Sequence, residues 1–179
     1  MITQRMFSGF ARRVADPSVP SRATASGGEE SPMLVENKAI VRRLYEEVWN
    51  KRRLEVADEL ISPSHVLNDP IVSGSQIGPE LYKRRVVELT TSFPDLRFTI
   101  EDMITEKGKV VVSWIISGTH LSEFLDVPAT GSKIFVEGIT IHHITNGKIL
   151  DSHARWDALG LLRQLGDVSS LRQTVTSRF

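Results

Sequence analysis

From Met33 onward, apolar residues recur first at helical and then at strand spacing. Leu34, Ile40, Val41, Leu44, Tyr45, Val48 and Trp49 fall on one broad helical face, with Glu36, Lys38, Arg42, Arg43, Glu46 and Glu47 largely opposite. That is the pattern of a long amphipathic helix. After the basic break at Lys51 to Arg53, the spacing of Leu54, Val56, Ala57, Leu60 and Ile61 predicts a shorter helix that Ser62-Pro63 ends, because the residue before proline disfavours helical dihedrals. HVLNDP fits a short extended segment closing at Pro70, and a third helix begins around Pro79 and runs to Phe93-Pro94 through Leu81, Tyr82, Val86, Val87 and Leu89.

Beyond Pro94 the period changes to two. Leu96, Phe98 and Ile100 alternate with Arg97, Thr99 and Glu101, and EKGK turns the chain into the β-branched run from Val110 to Ile116. The loop LSEFLDVPATGS precedes a strand from Ile134 to Ile144. Asn146-Gly147 then marks a hairpin, since a type I′ turn needs positive φ at both central residues. Lys148 to Trp156 returns antiparallel, and Asp157 is placed to cap a last helix bearing Leu159, Leu162 and Leu165. Helices followed by a meander of four long strands predict an α+β fold with a curved antiparallel sheet enclosing a pocket against the helices.

Composition narrows the function. The 179 residues suit one domain, 33–168, with a tail at 169–179. Lys plus Arg and Asp plus Glu are 22 each, so charge offers no reason to expect nucleic acid. The chain has no cysteine, which excludes disulfides, thiol nucleophiles and cysteine-metal sites. No apolar run approaches the roughly 18 residues of a membrane span, so a soluble protein is expected.

Residues 1–32 form a flexible extension in this reading. Up to residue 28 it holds Arg5, Arg12, Arg13 and Arg22 against the single acid Asp16, and Ile2, Met6, Phe10 and Val14 recur every fourth residue. Two readings stand: an organellar (mitochondrial or plastid) transit peptide, or a disordered tail on a cytoplasmic protein.

FPDLRFTIEDMITEKGKVVVSWIISGTH, EFLDVPATGSKI and NGKILDSHARWDALGLLRQLGD together resemble the SnoaL-like polyketide cyclases and ester cyclases of the nuclear transport factor 2-like superfamily, over about residues 34–167. The resemblance implies a cone in which a strongly curved sheet wraps the N-terminal helices around an apolar cavity. It implies either a cofactor-independent cyclase or isomerase that moves a proton next to a carbonyl, or a catalytically silent ligand-binding or assembly subunit. In cyclases of this type an aspartate on the last strand acts as acid/base with an inward histidine on the preceding strand. A gap-free alignment puts Ala154 at the aspartate position and Thr140 near the histidine position, with His142 two residues on and on the same strand face.

The substitutes each have an ordinary reading beside the functional one. His142 is the foremost catalytic candidate, or a hydrogen-bonded core histidine. Glu137 joins it if it faces inward, where burial raises a carboxyl pKa, and is a solvated residue if it faces outward. Asp69, with His65 and Asn68, stands at a cavity mouth or makes an Asn/Asp turn. Trp114 and Trp156 wall the pocket or belong to the core. Ser152, Ala154 and Trp156 share one strand face; Asp151, His153 and Arg155 share the other, as a rim or outer-face cluster.

Metal and cofactor signals are weak: no HExxH spacing occurs, and Gly74 and Gly118 are isolated from any phosphate-cradling motif. The expected catalytic set is His142, Glu137 and Asp69, and the expected substrate-binding set is His65, Asn68, Trp114 and Trp156. No cofactor or metal is expected. The expected partners are an apolar, carbonyl-bearing small molecule and a second copy of the chain, with neither nucleic acid nor membrane.

Overall fold

The computed structural model describes residues 31–71 and 76–166, so the targeting segment and the C-terminal tail inferred from sequence lie outside the described residues. Helix α1 (Pro32–Arg43) opens with proline in its first turn and continues as a π-helical segment over Leu44–Asn50. Val41, Leu44, Tyr45, Val48 and Trp49 on the predicted face are buried. Helix α2 (Val56–Leu60) is short, and β1 (Ile61–Asn68) begins at once, so Pro63 sits inside a strand rather than just past a helix. The two-residue β2 (Gln76–Ile77) leads into α3 (Gly78–Ser92).

The meander follows as β3 (Arg97–Glu106), β4 (Lys109–Thr119), β5 (Lys133–Thr145) and β6 (Lys148–Trp156), and α4 (Ala158–Gln164) closes the fold with Asp157 accepting from Gly160 N. Asn146 and Gly147 both have positive φ, as the hairpin requires, and so do Lys107 and Gly108 at the β3–β4 turn.

The sheet is curved and unclosed, with strand order β2-β1-β6-β5-β4-β3. The helices cover one face. Pairing is antiparallel except that β1 lies parallel to β6, which the sequence pattern did not predict. Some eighty residues separate the two strands, so no hairpin turn dictates their direction. In β3 a bulge between Ile100 and Asp102 resets the alternation, leaving Met103 half-buried against the core and Ile104 exposed.

One close approach shapes the concave face. Trp114 on β4 lies opposite Gly138 on β5, and its indole crosses directly over that glycine, where any Cβ would collide with the ring. The ring then reaches Thr140, whose Oγ1 accepts from Trp114 Nε1 at 2.9 Å. Gly138→Ala should therefore displace the indole and cost about 1–3 kcal/mol of stability, the usual range for overpacking a core. Chemical denaturation monitored by tryptophan fluorescence checks this, and unchanged stability would show that the indole has room to move.

Candidate functional site

Aromatic side chains hold the helices off the sheet. Trp49 Nε1 donates to Tyr82 Oη at 2.8 Å, joining the π-helical segment to α3, and Phe98 packs edge-on to Tyr45 and Trp114 with ring centroids 5.2 and 5.4 Å apart. Between these layers is a cavity of about 80 Å³, lined mainly by apolar and aromatic groups from Tyr45 to Leu161. This is more room than one water needs.

The inward alternation of β5 and β6 supplies a polar floor. His142 Nδ1 is 2.8 Å from Ser152 Oγ, and His142 Nε2 is 3.2 Å from the Tyr45 hydroxyl. Ser152 Oγ also lies 2.9 Å from His65 Nε2. Burial lowers the His142 pKa to about 3, with the neighbouring His65 and His143 acting in the same direction, and burial lowers that of His65 to about 4 against the opposing pull of Asp151. Both rings are neutral near pH 7, and both nitrogens of His142 are engaged by the protein. Thr140 and Ala154 face each other across β5 and β6 next to this floor, at the two positions where the family resemblance leads one to expect histidine and aspartate.

The open end has different chemistry. Among the described residues, Asp69, just past β1, is the only carboxylate lining the cavity, and Arg85 on α3 is the only cationic side chain. Asp69 Oδ2 accepts from Trp156 Nε1 and its Oδ1 from the Ile71 amide, each at 3.1 Å. Asp69 and Trp156 are half-buried. Arg85 is only 9% exposed and, with Phe124, also borders a surface groove beside Glu88, so it stands at the threshold of the cavity. Burial lowers the Arg85 pKa, while Asp69 and Glu88 oppose that shift.

The candidate residues from sequence separate into three groups. His142, Asp69, Trp114 and Trp156 line the cavity. His65 does not line the cavity itself: it is buried behind Ser152 and packs edge-on against Tyr82, both of which do. Glu137 and Asn68 do not belong to the site. Strand alternation turns Val136 inward and leaves Glu137 exposed, and it turns Leu67 inward and leaves Asn68 exposed, where it accepts from Arg155 Nη1 at 3.3 Å. Glu137 therefore does not reach the cavity.

Sequence reasoning singles out neither Tyr45 nor Arg85 as a lining residue. Tyr45 reads in sequence only as part of an apolar stripe. Arg85 had a usable signal, because it falls three residues after Tyr82 on the buried stripe of α3, where a charge is unexpected.

On the outer face of the sheet, Asp151 Oδ1 lies 2.6 Å from His143 Nδ1 and 3.2 Å from His153 Nε2. Among the described residues this is the cluster whose ligand atoms could hold a metal ion. Arg155 is engaged instead with Asn68 and the Ala154 carbonyl. The cluster is on the face opposite the cavity and none of its three residues lines it.

A curved, unclosed sheet folded over helices around an apolar cavity is the architecture of the nuclear transport factor 2-like superfamily. The chain belongs to the SnoaL-like polyketide cyclase family, which matches residues 39–165. It is 31% identical over 134 residues to the aklanonic acid methyl ester cyclase DnrD of Streptomyces peucetius, covering 72% of this chain and 89% of that protein. The structure of a proposed polyketide cyclase from Acidithiobacillus ferrooxidans is similar at a TM-score of 0.66 and 30% identity, over 73% of this chain and 94% of that one. TsrD from Streptomyces laurentii is similar at a TM-score of 0.67 and 25% identity, over 77% and 98%. Among the described residues, no helix is long and apolar enough to cross a membrane.

The two buried imidazoles make stability depend on pH. In the unfolded chain they take up protons near the ordinary value of 6.5, but in the folded protein only near 3 and 4. Below about 6.5 the unfolded state thus binds more protons, and stability falls as pH drops toward 4, by up to about 1.4 kcal/mol per pH unit for each ring. Denaturant titrations at pH 7.5, 6 and 5 should show this slope, and His65→Gln should reduce it. An equal slope in that variant would mean that other groups carry the acid sensitivity.

Proposed function

We propose that this protein is a cyclase that needs no cofactor and closes a ring in an apolar, carbonyl-bearing small molecule, with Asp69 as its acid/base. The observation that carries this reading is the position of Asp69 as the sole carboxylate lining the cavity among the described residues, steadied by Trp156 and the Ile71 amide. The carboxylate takes a proton from the carbon next to one carbonyl, and the resulting enolate carbon attacks a second carbonyl of the same molecule. Protonated Asp69 then returns the proton to the new alkoxide, so one C–C bond forms and nothing is released.

Membership of a cyclase family and the likeness to an ester cyclase support ring closure as the reaction. The neutral, fully engaged ring of His142 supports a positioning role, in which it holds Tyr45 and Ser152 at the floor and does not exchange a proton itself. Trp114 and Trp156 supply flat walls suited to a planar, unsaturated ligand.

Ala154 favours the rival reading of a silent binding subunit, because alanine cannot transfer a proton where the family resemblance expects an acid. Asp69 favours the enzyme. A homodimer also fits: Phe135, Ile139 and Ile141 are exposed together on the outer face of β5, a surface suited to a second copy of the chain.

Deuterium uptake from D2O into an enolisable aromatic ketone such as 1-tetralone reports the first proton transfer. Asp69→Asn should slow the enzyme-dependent uptake roughly 10²-fold or more while leaving the melting temperature within a few degrees. Full exchange in Asp69→Asn would remove Asp69 from the chemistry. No exchange above buffer in the unaltered protein, with the ketone still bound, would favour the silent subunit.

A further inference from the structure

We infer that Arg85 is a catalytic residue of the reaction proposed above, its guanidinium holding the substrate carbonyl oxygen as that oxygen becomes an enolate. The inference rests on the reading of Asp69 as acid/base and adds the group that receives the negative charge.

The starting point is an arginine in an unusual place. Helix α3 turns Arg84, Val87 and Glu88 outward and buries Tyr82 and Val86, and Arg85 goes with the buried set at 9% exposure. A guanidinium carries five N–H donors and cannot shed its charge in a protein. Buried charges of this kind ordinarily sit against a carboxylate in a paired geometry. Arg85 has only a loose pairing of this kind: its Nη1 lies 3.8 Å from Oε2 of the exposed Glu88, an ion pair without close hydrogen-bond geometry. Asp69 is near enough for its charge to favour the charged guanidinium, yet the two form no direct ion pair. Both line the same cavity, where the guanidinium can meet a group that enters it.

The charge balance identifies that guest as a neutral carbonyl compound rather than a permanent anion. At rest the Arg85 cation is offset by the Asp69 carboxylate. A carboxylate ligand would add a second negative charge to the same apolar space. A ketone or ester adds none. When Asp69 takes the proton, the C–H electron pair becomes the enolate double bond and the negative charge moves from the Asp69 oxygen to the substrate oxygen. The same guanidinium then neutralises it there, and the site keeps its net charge throughout. Beside the apolar walls of Leu89, Phe93 and Trp156 such a cation is already in place where the charge develops, which is what oxyanion stabilisation requires. When the enolate carbon attacks the second carbonyl, the charge passes to the new alkoxide and is cancelled by the proton from Asp69.

The test uses the full chain and 2-naphthol, whose ionised form mimics a planar enolate and whose ionisation is read by fluorescence. Asp69→Asn supplies the neutral side chain that Asp69 becomes after proton transfer. In that background, bound 2-naphthol should ionise at a pH at least one unit lower than in Asp69→Asn/Arg85→Met, a tenfold preference for the anion. Arg85→Lys should fall between the two and guards against a methionine variant that fails to fold. A ligand that does not bind, or that ionises at the same pH in all three proteins, overturns the assignment. So does an Arg85 that merely props α3, since that role leaves the ionisation of the ligand unchanged. Measured alongside, 1-tetralone exchange that is lost in Asp69→Asn but intact in Arg85→Lys and Arg85→Met would leave the proton transfer standing and remove Arg85 from it.

Discussion

The hydroxyl of Ser152 is the point on which the fold and the site both depend. It bridges two buried imidazoles, His142 on β5 and His65 on β1, at 2.8 and 2.9 Å. Through His142 the chain of contacts continues to Tyr45 on the N-terminal helical segment. Three strands and a helix therefore share one polar knot in an apolar interior. A buried network is costly when any member lacks a partner, so the knot tolerates little change in register. It also accounts for the firm placement of β1, which reaches β6 from far along the chain without a turn to guide it. Leu67 opposite Ser152 and Asn68 opposite His153 fix that parallel register.

The cavity follows from what surrounds the knot. Tyr45, Trp49 and Tyr82 are too large to let the helices settle onto the sheet, and each ends in a polar atom that must meet a partner. Trp49 donates its indole N–H to the Tyr82 oxygen, and Trp114 reaches Thr140 across the gap that Gly138 provides. The aromatic groups are thus locked by hydrogen bonds at their tips, while their faces remain free to line a space. A core of aliphatic residues of similar volume would have collapsed inward.

Features governed by neighbours in sequence were legible and features governed by distant ones were not. The Asn146-Gly147 hairpin, the Asp157 cap, the buried stripe of α1 and the placing of Ser152, Ala154 and Trp156 on one strand face all follow from local periodicity and turn chemistry. The parallel entry of β1 does not, because direction there is set by packing rather than by a loop. Glu137 shows the limit of alternation: period two separates it from Val136 but cannot say which set faces the cavity until the sheet has a concave side. His142 was found and its state was not, since a depressed pKa depends on a closed shell contributed by elements scattered along the chain. Arg85 was overlooked for the opposite reason, as an ordinary charge on a helix rich in charges, although its phase relative to Tyr82 and Val86 already put it on the buried side.

On the proposed reading, moving the acid from position 154 to position 69 alters more than its address. Along β6 the cavity-facing residues run from Ser152 through Ala154 to Trp156, and Trp156 holds Asp69 at the far end. An acid at 154 would act beside Thr140, next to the polar floor. An acid at 69 acts at the open end, beside a guanidinium and within reach of solvent. The reacting carbonyls must then lie near the entrance, and the floor of neutral His142, Thr140 and Ala154 is left to accept the unreactive part of the ligand. Small side chains at 140 and 154 enlarge that part of the cavity. The loss of the expected pair and the presence of Asp69 with Arg85 are in this sense one change: the same cavity is occupied in the same direction, with the chemistry transferred from its depth to its mouth.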